Sequence, residues 1–187
     1  MSELIEMAFE DGRANMDKAL NHLKSELTKV RTGKASTSIL KDIMVEYYGN
    51  PTPLSQVANL NTPDSKTIAI QPWEKSMLGL IEQAIFASNL GLTPMNDGEF
   101  VRISIPPLTE ERRREMVKYA KHLGEETKIS LRNERHKMLD VIKSEVKDGY
   151  PEDQGKRRET EVQNITNQYG DDVNKLIEAK EKDIMTV

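Results

Sequence analysis

The sequence predicts an α+β protein of two domains, an elongated three-helix bundle with a small α+β (β/α/β) domain inserted into it. Three observations carry this. Residues 2–31, 108–148 and 152–185 each repeat apolar side chains at steps of three and four, the period of one helix face. Between the first two, the period drops to two, and Gly, Pro, Asn and Asp cluster repeatedly. Helices with one narrow apolar stripe are unstable alone, but three together bury all their stripes. The bundle is therefore assigned residues 1–31 and 106–187, and the inserted domain residues 32–105. Two chain crossings, at 31–33 and 105–107, define a hinge made of Arg31, Thr32, Gly33, Ile105, Pro106 and Pro107, where domain motion is expected.

The elements follow in order. In the first helix, Ile5, Phe9, Met16, Leu20, Leu23, Leu27 and Val30 form the stripe. Gly33 and the Ser/Thr cluster after it take the chain out of the bundle. Ile43, Val45 and Tyr47 then alternate with polar neighbours, a strand signal, and Gly49-Asn50-Pro51-Thr52-Pro53 reads as a turn or loop. Val57 and Leu60 begin another short strand. Pro63-Asp64-Ser65 is a turn before a strand at Thr67-Ile68-Ala69-Ile70. Residues 74–88 read as a helix, with Leu78, Ile81, Ala84 and Ile85 on one face and Gly91 near its end. Asn96-Asp97-Gly98 is a turn, and Phe100, Ile103 and Ile105 lie in a final strand. Pro106 and Pro107 cannot occupy a helix interior, so the second long helix starts after them. Thr109 is its N-cap, Glu110 and Glu111 suit the positive end of its dipole, and Gly149-Tyr150-Pro151 stops it. A run of about forty residues makes a rod roughly 60 Å long at ~1.5 Å per residue. In the third helix Val162, Ile165, Tyr169, Val173, Leu176 and Ile184 keep the stripe, with Gly170 as a weak point.

Composition narrows the function classes. The chain of 187 residues has a formal net charge of −4, so no global basic field marks a nucleic-acid binder, although local basic patches remain compatible with it. It has no cysteine, which removes disulfides, thiol catalysis and thiolate metal sites and fits a reducing compartment. The acidic start is no secretory signal, and no apolar run approaches the ~20 residues of a membrane span. A soluble, cytoplasmic protein is expected.

The second helix carries the main chemical signal. Arg114, Lys118, Lys121, Lys128, Arg132 and Arg135 recur at steps of three, four and seven, interrupted by Glu125. This row lies roughly a third of a turn from the apolar row and is ~30 Å long. It reads either as a solvated helix face or as a surface for nucleic-acid phosphates, to which Arg offers bidentate contacts. Catalytic readings fail. His22, His122 and His136 lack metal-binding spacing, and Thr32-Gly33-Lys34-Ala35-Ser36 lacks the first glycine and the hydroxyl after lysine that a phosphate loop needs. There is no nucleophile elbow and no Gly-rich dinucleotide turn. Trp73, at a strand-to-helix junction, is expected to pack rather than stack. Tyr47 and Tyr48 are expected on opposite strand faces, one in the core and one exposed.

Several stretches match one family together. They are Lys29-Val30-Arg31-Thr32-Gly33-Lys34-Ala35, Val45-Glu46-Tyr47-Tyr48-Gly49 with Thr52-Pro53-Leu54, Pro72-Trp73-Glu74-Lys75, Ser88-Asn89-Leu90-Gly91-Leu92, Pro106-Pro107-Leu108-Thr109-Glu110-Glu111-Arg112-Arg113, and Arg132-Asn133-Glu134-Arg135. In this order and spacing the chain resembles the bacterial ribosome recycling factors over essentially its whole length. Lys34 stands where the family often has arginine, and the third helix carries little of the match.

The resemblance implies an L-shaped, tRNA-like molecule and a non-enzymatic translation factor without cofactor or metal. It implies binding to the post-termination ribosome and, with elongation factor G and GTP hydrolysed by that partner, splitting of the subunits. It implies that Arg132 and Arg135 contact large-subunit ribosomal RNA. Lys128, Arg114 and Lys118 are supporting candidates; Lys24 and Arg31 are candidates by proximity to the hinge alone. A monomer is expected, with no membrane partner. The rival readings are a helical adaptor that binds RNA or protein without recycling activity, and a carboxylate hydrolase, for which the sequence offers no convergent set.

Overall fold

The computed structural model describes residues 2–186. The chain divides into two compact units, one made of the residues up to Val30 and from Arg113 onward, the other of Arg31–Arg112.

The first unit holds three helices, α1 (Glu3–Thr28), α3 (Glu110–Lys147, which begins just before the boundary) and α4 (Glu152–Met185). Their ends are closed by the expected chemistry. The Ser2 hydroxyl accepts the Ile5 N–H at 3.3 Å, and the Thr109 hydroxyl accepts the Arg112 N–H at 3.2 Å. At the end of α3, Gly149 has φ 106°, its N–H reaches the Val146 carbonyl at 3.2 Å, and the Tyr150 N–H reaches that of Glu145 at 2.9 Å. That pair of bonds caps the last carbonyls, and only glycine takes the φ without strain.

The three apolar stripes meet in one core that includes Ile5, Phe9, Met16, Leu23, Leu131, Met138, Ile142, Val162, Val173 and Ile184. Helices approach closely at small residues. A Cβ on Gly12 would sit 2.6 Å from Met138 Sδ, one on Gly124 2.8 Å from Ile177 Cγ1, and one on Gly155 2.6 Å from Val146 Cγ2. The rim of α1 and α4 is tied by Arg158, whose guanidinium lies 4.6 Å over the Phe9 ring and pairs with Glu6 and Glu161. About three turns further along the same two helices the Tyr169 hydroxyl donates to Asp17 at 2.5 Å. Burial, reinforced by the Asp17 carboxylate, pushes the Tyr169 phenol up to about 12.

The second unit has a hairpin of β1 (Met44–Tyr47) and β2 (Asn50–Pro53), and an antiparallel sheet of β3 (Ala58–Asp64), β4 (Thr67–Pro72), β5 (Pro94–Asn96) and β6 (Val101–Ser104) in the order β3-β4-β6-β5. Helix α2 (Leu78–Ala87) contributes Leu78, Ile81 and Ile85 to a second core with Val45, Leu54, Ile68, Ile70, Val101 and Ile103.

Several local expectations change. Asn50–Pro53 is a strand, not a loop, with Tyr47 opposite Asn50. Tyr48 (φ 48°) and Gly49 (φ 81°) supply the two left-handed residues of a tight hairpin turn. Pro51 and Pro53 are tolerated because β2 pairs on one side alone. Tyr47 packs against the second core and Tyr48 is exposed, as expected, yet their rings do not diverge: they meet edge-on at 4.5 Å, and both hydroxyls donate to Glu74, at 3.3 and 3.1 Å. Strand β3 runs through Pro63 to Asp64, and α2 is shorter than 74–88 because a 3₁₀ turn at Lys75–Met77 precedes it. The inward residues of the last strand are Val101 and Ile103, with Ile105 buried just past its end, whereas Phe100 closes the turn before it. Trp73 is 64% exposed rather than packed.

The second compact unit runs on to Arg112, past the expected crossing at 105–107. Ile105 is buried in the second core, and its N–H bonds to the Lys66 carbonyl at 2.7 Å. A Cβ on Gly33 (φ 75°) would lie 3.2 Å from the Leu108 backbone nitrogen, so the two linking segments touch within the inserted unit.

Candidate nucleic-acid interface

The long helix α3 buries Ala120, Leu123, Thr127, Leu131, Met138 and Ile142 along one stripe. Thr127 joins an apolar stripe without cost to satisfaction because its hydroxyl donates to the Leu123 carbonyl at 3.0 Å. The helical period then dictates where the cations go. Arg132 falls roughly a third of a turn from the stripe and is exposed. Arg135 falls closer to the core edge and is half-buried, and its Nε is buried with no hydrogen-bond partner. Lys128, also half-buried, pairs with Glu125 at 3.6 Å. Among the described residues no carboxylate pairs with Arg132 or Arg135.

These three cations lie within about two turns of each other. Arg114 and Lys118 are exposed on the same helix, nearer its start, and Lys118 has no ion pair among the described residues. Lys121, part of the same periodic row, is taken up by Glu181 at 3.5 Å. Lys24 does not join the row. It lies two turns beyond Asp17 on the edge of α1 that meets α4, where Asp17 holds Tyr169. Arg31 belongs to the other unit, and its Nη2 donates to the Leu90 carbonyl at 2.6 Å.

Of the hinge residues, Thr32 and Gly33 are half-buried, Ile105 is buried, and Pro106 and Pro107 are exposed. Sequence reasoning passed over Arg113, a half-buried residue whose Nε is likewise buried and unpartnered. Its one sequence signal was position, three residues before Met116 at the start of the apolar stripe. A buried, unpaired N–H is costly, so both arginines hold a donor that gains from an acceptor.

His22, His122 and His136 are all exposed, and the pair His122–Glu126 at 3.1 Å stands alone. Among the described residues no group of three His, Cys, Asp or Glu could hold a metal ion, and no helix is long and apolar enough to cross a membrane.

What remains is a helical-bundle factor with an inserted sheet unit and one cationic helix face. Comparison with known proteins specifies it. The family model described as Ribosome recycling factor matches residues 23–185. The ribosome-recycling factor of Porphyromonas gingivalis is 53% identical over 175 residues, 93% of this chain and 94% of the relative. That of Geobacter metallireducens is 51% identical over 178 residues, 95% and 96% of the two chains. Among solved structures, the solution structure of a ribosome recycling factor matches all of both chains with a TM-score of 0.83 at 39% identity. A second, with a TM-score of 0.67, 39% identity and coverage of 97% and 99%, belongs to models for the T. thermophilus ribosome recycling factor and the E. coli elongation factor G bound to the E. coli post-termination complex. The chain belongs to the ribosome recycling factor family, and this membership ties it to ribosome recycling.

Proposed function

We propose that this protein binds the post-termination ribosome and, with elongation factor G and GTP hydrolysed by that partner, splits the subunits for a new round of protein synthesis. It does so without catalysing a covalent reaction itself. The observation that carries this reading is family membership along nearly the whole chain, with a structural neighbour described on a post-termination complex beside elongation factor G.

The geometry suits a docking role. Arg132 and Arg135 present guanidinium groups without competing carboxylates, and guanidinium matches phosphate bidentately. Lys128, Arg114 and Lys118 add charge along the same helix. Lys24, on another face, and Arg31, already bonded to a carbonyl, contribute less. The inserted unit then acts as a lever against the anchored bundle. Contact between Gly33 and Leu108 within the inserted unit supports a pivot on the bundle side of the Arg31–Gly33 and Ile105–Pro107 segments.

Sedimentation of post-termination ribosomes tests the reading. Free subunits should accumulate when this protein, elongation factor G and GTP are all present, and not when any one is left out. Unsplit ribosomes in the complete mixture would refute it.

A further inference from the structure

We infer that the RNA face of the bundle is built from two helices, and that α4 contributes an uncharged amide strip, Gln163, Asn167 and Asn174, which hydrogen-bonds ribose and phosphate oxygens beside the α3 arginines. This inference rests on the RNA-docking reading of the α3 row.

The antiparallel register of α3 and α4 is set by three contacts: Lys121 with Glu181, Gly124 with Ile177, and Val146 with Gly155. It puts Arg132 level with Tyr169 and Gly170, and Arg135 level with Thr166 and Asn167. Gln163, Asn167, Gly170 and Asn174 follow at steps of four, three and four, so they share one edge of α4. It is the α3 edge, because Ile177 and Glu181, which touch α3, lie along the same side. The opposite edge, with Arg158 and Tyr169, meets α1.

Three properties distinguish this edge. Gln163, Asn167 and Asn174 are exposed, and the first two are chained, Gln163 Nε2 donating to Asn167 Oδ1 at 2.8 Å. The amide N–H groups of Asn167 and Asn174 have no partner among the described residues. Second, the strip is neutral in a helix otherwise dense in charge: Asp171 borders it on the solvent side and Asp172 falls toward α1. On the α3 side the one carboxylate in the row, Glu125, is paired with Lys128. Third, a Cβ on Gly170 would meet nothing within 4 Å, so the strip opens on clear space level with Arg132. Arg135 faces the same seam with its unsatisfied buried Nε. Cations flanked by neutral donors, with no carboxylate between them, complement a polyanionic strand. Amides add hydrogen bonds that release no counterions.

That difference supplies the test. The full-length chain is titrated onto purified bacterial large ribosomal subunits, and onto protein-free large-subunit RNA, across a range of salt. Gln163→Ala/Asn167→Ala/Asn174→Ala should weaken binding to both about 10-fold with an unchanged salt slope, since three neutral bonds are lost. Asn167→Asp, which places a carboxylate next to the arginines, should weaken it further than Asn167→Ala. Arg132→Ala/Arg135→Ala should lower both affinity and slope. Thermal melts at the wild-type temperature exclude misfolding of these surface variants. If the amide variant binds like wild type while the arginine variant is weakened, the strip is overturned and the docking reading stands. If the arginine variant also binds like wild type, both fail. An amide effect on intact subunits but not on free RNA would mean that the strip meets a ribosomal protein, and would overturn the inference.

Discussion

Substitution of Gly124 by alanine, set against the same change at Gly170, tests the helix packing that positions the site. Both glycines lie well inside long helices, so each Gly→Ala change gains up to about 1 kcal/mol of helix propensity. Their surroundings differ. At Gly170 a Cβ meets nothing within 4 Å, so the gain stands. At Gly124 it would lie 2.8 Å from Ile177 Cγ1 and 3.1 Å from Cδ1, with Val173 Cγ1 behind at 3.8 Å. Ile177 is β-branched, and in a helix its χ1 has essentially one rotamer, so Cγ1 cannot swing aside. The helices must part by several tenths of an ångström, an overpacking that costs about 1–3 kcal/mol. Gly124→Ala should therefore be destabilising by up to about 2 kcal/mol and Gly170→Ala stabilising by about 1. Urea unfolding followed by circular dichroism at 222 nm separates them. With a slope of about 1–3 kcal/mol per molar, the two midpoints should stand on the order of 1 M apart, on opposite sides of wild type. A Gly124→Ala midpoint as high as that of Gly170→Ala would refute the close approach, and with it the register that sets the α4 amides beside Arg132.

Further outcomes follow from other contacts. Asp97 Oδ1 accepts the N–H groups of Phe100 and Glu99, at 2.7 and 3.0 Å, and Arg102 donates to Oδ2 at 3.0 Å; led by the Phe100 bond, these hold its carboxyl down from 3.8 to about 2. Because the folded value is depressed, the turn's stabilisation is complete above pH 3.8 and is lost as pH falls through about 2. An NMR titration of the Asp97 carboxyl should show its midpoint there, and an ordinary midpoint would contradict the turn. Thr109→Ala removes the cap of α3 and should cost about 1 kcal/mol, read from thermal unfolding; no loss would mean that the cap does not form in solution. Pro106→Gly with Pro107→Gly should leave subunit splitting unchanged, because this segment lies inside the inserted unit, and a strong loss would return the pivot to it.

The helices were legible because a stripe sustained over many turns has one interpretation. The short strands were not. β2 carries two prolines and pairs along one edge, and β5 has three residues, too few to show a period. The Tyr48–Gly49 turn escaped because tyrosine seldom takes a left-handed conformation; here its hydroxyl bond to Glu74 helps to hold it. Charge periodicity found Arg132 but ranked it equally with five neighbours. What separates them is mostly tertiary: Lys121 is taken by Glu181 of α4 and Arg135 sinks into a seam, whereas Lys128 pairs with Glu125 of its own helix. The amide strip left no trace in charge patterning because it carries no charge, and its meaning depends on which helix lies beside it.

As proposed, α3 anchors the factor on large-subunit RNA through Arg132 and Arg135. The salt dependence of binding to large ribosomal subunits, wild type against Arg132→Ala/Arg135→Ala, reads this anchoring. Loss of two phosphate contacts should lower the slope of log affinity against log salt by about 1.4–1.8 and weaken binding most at low salt. Superimposable salt curves for the two proteins would contradict it.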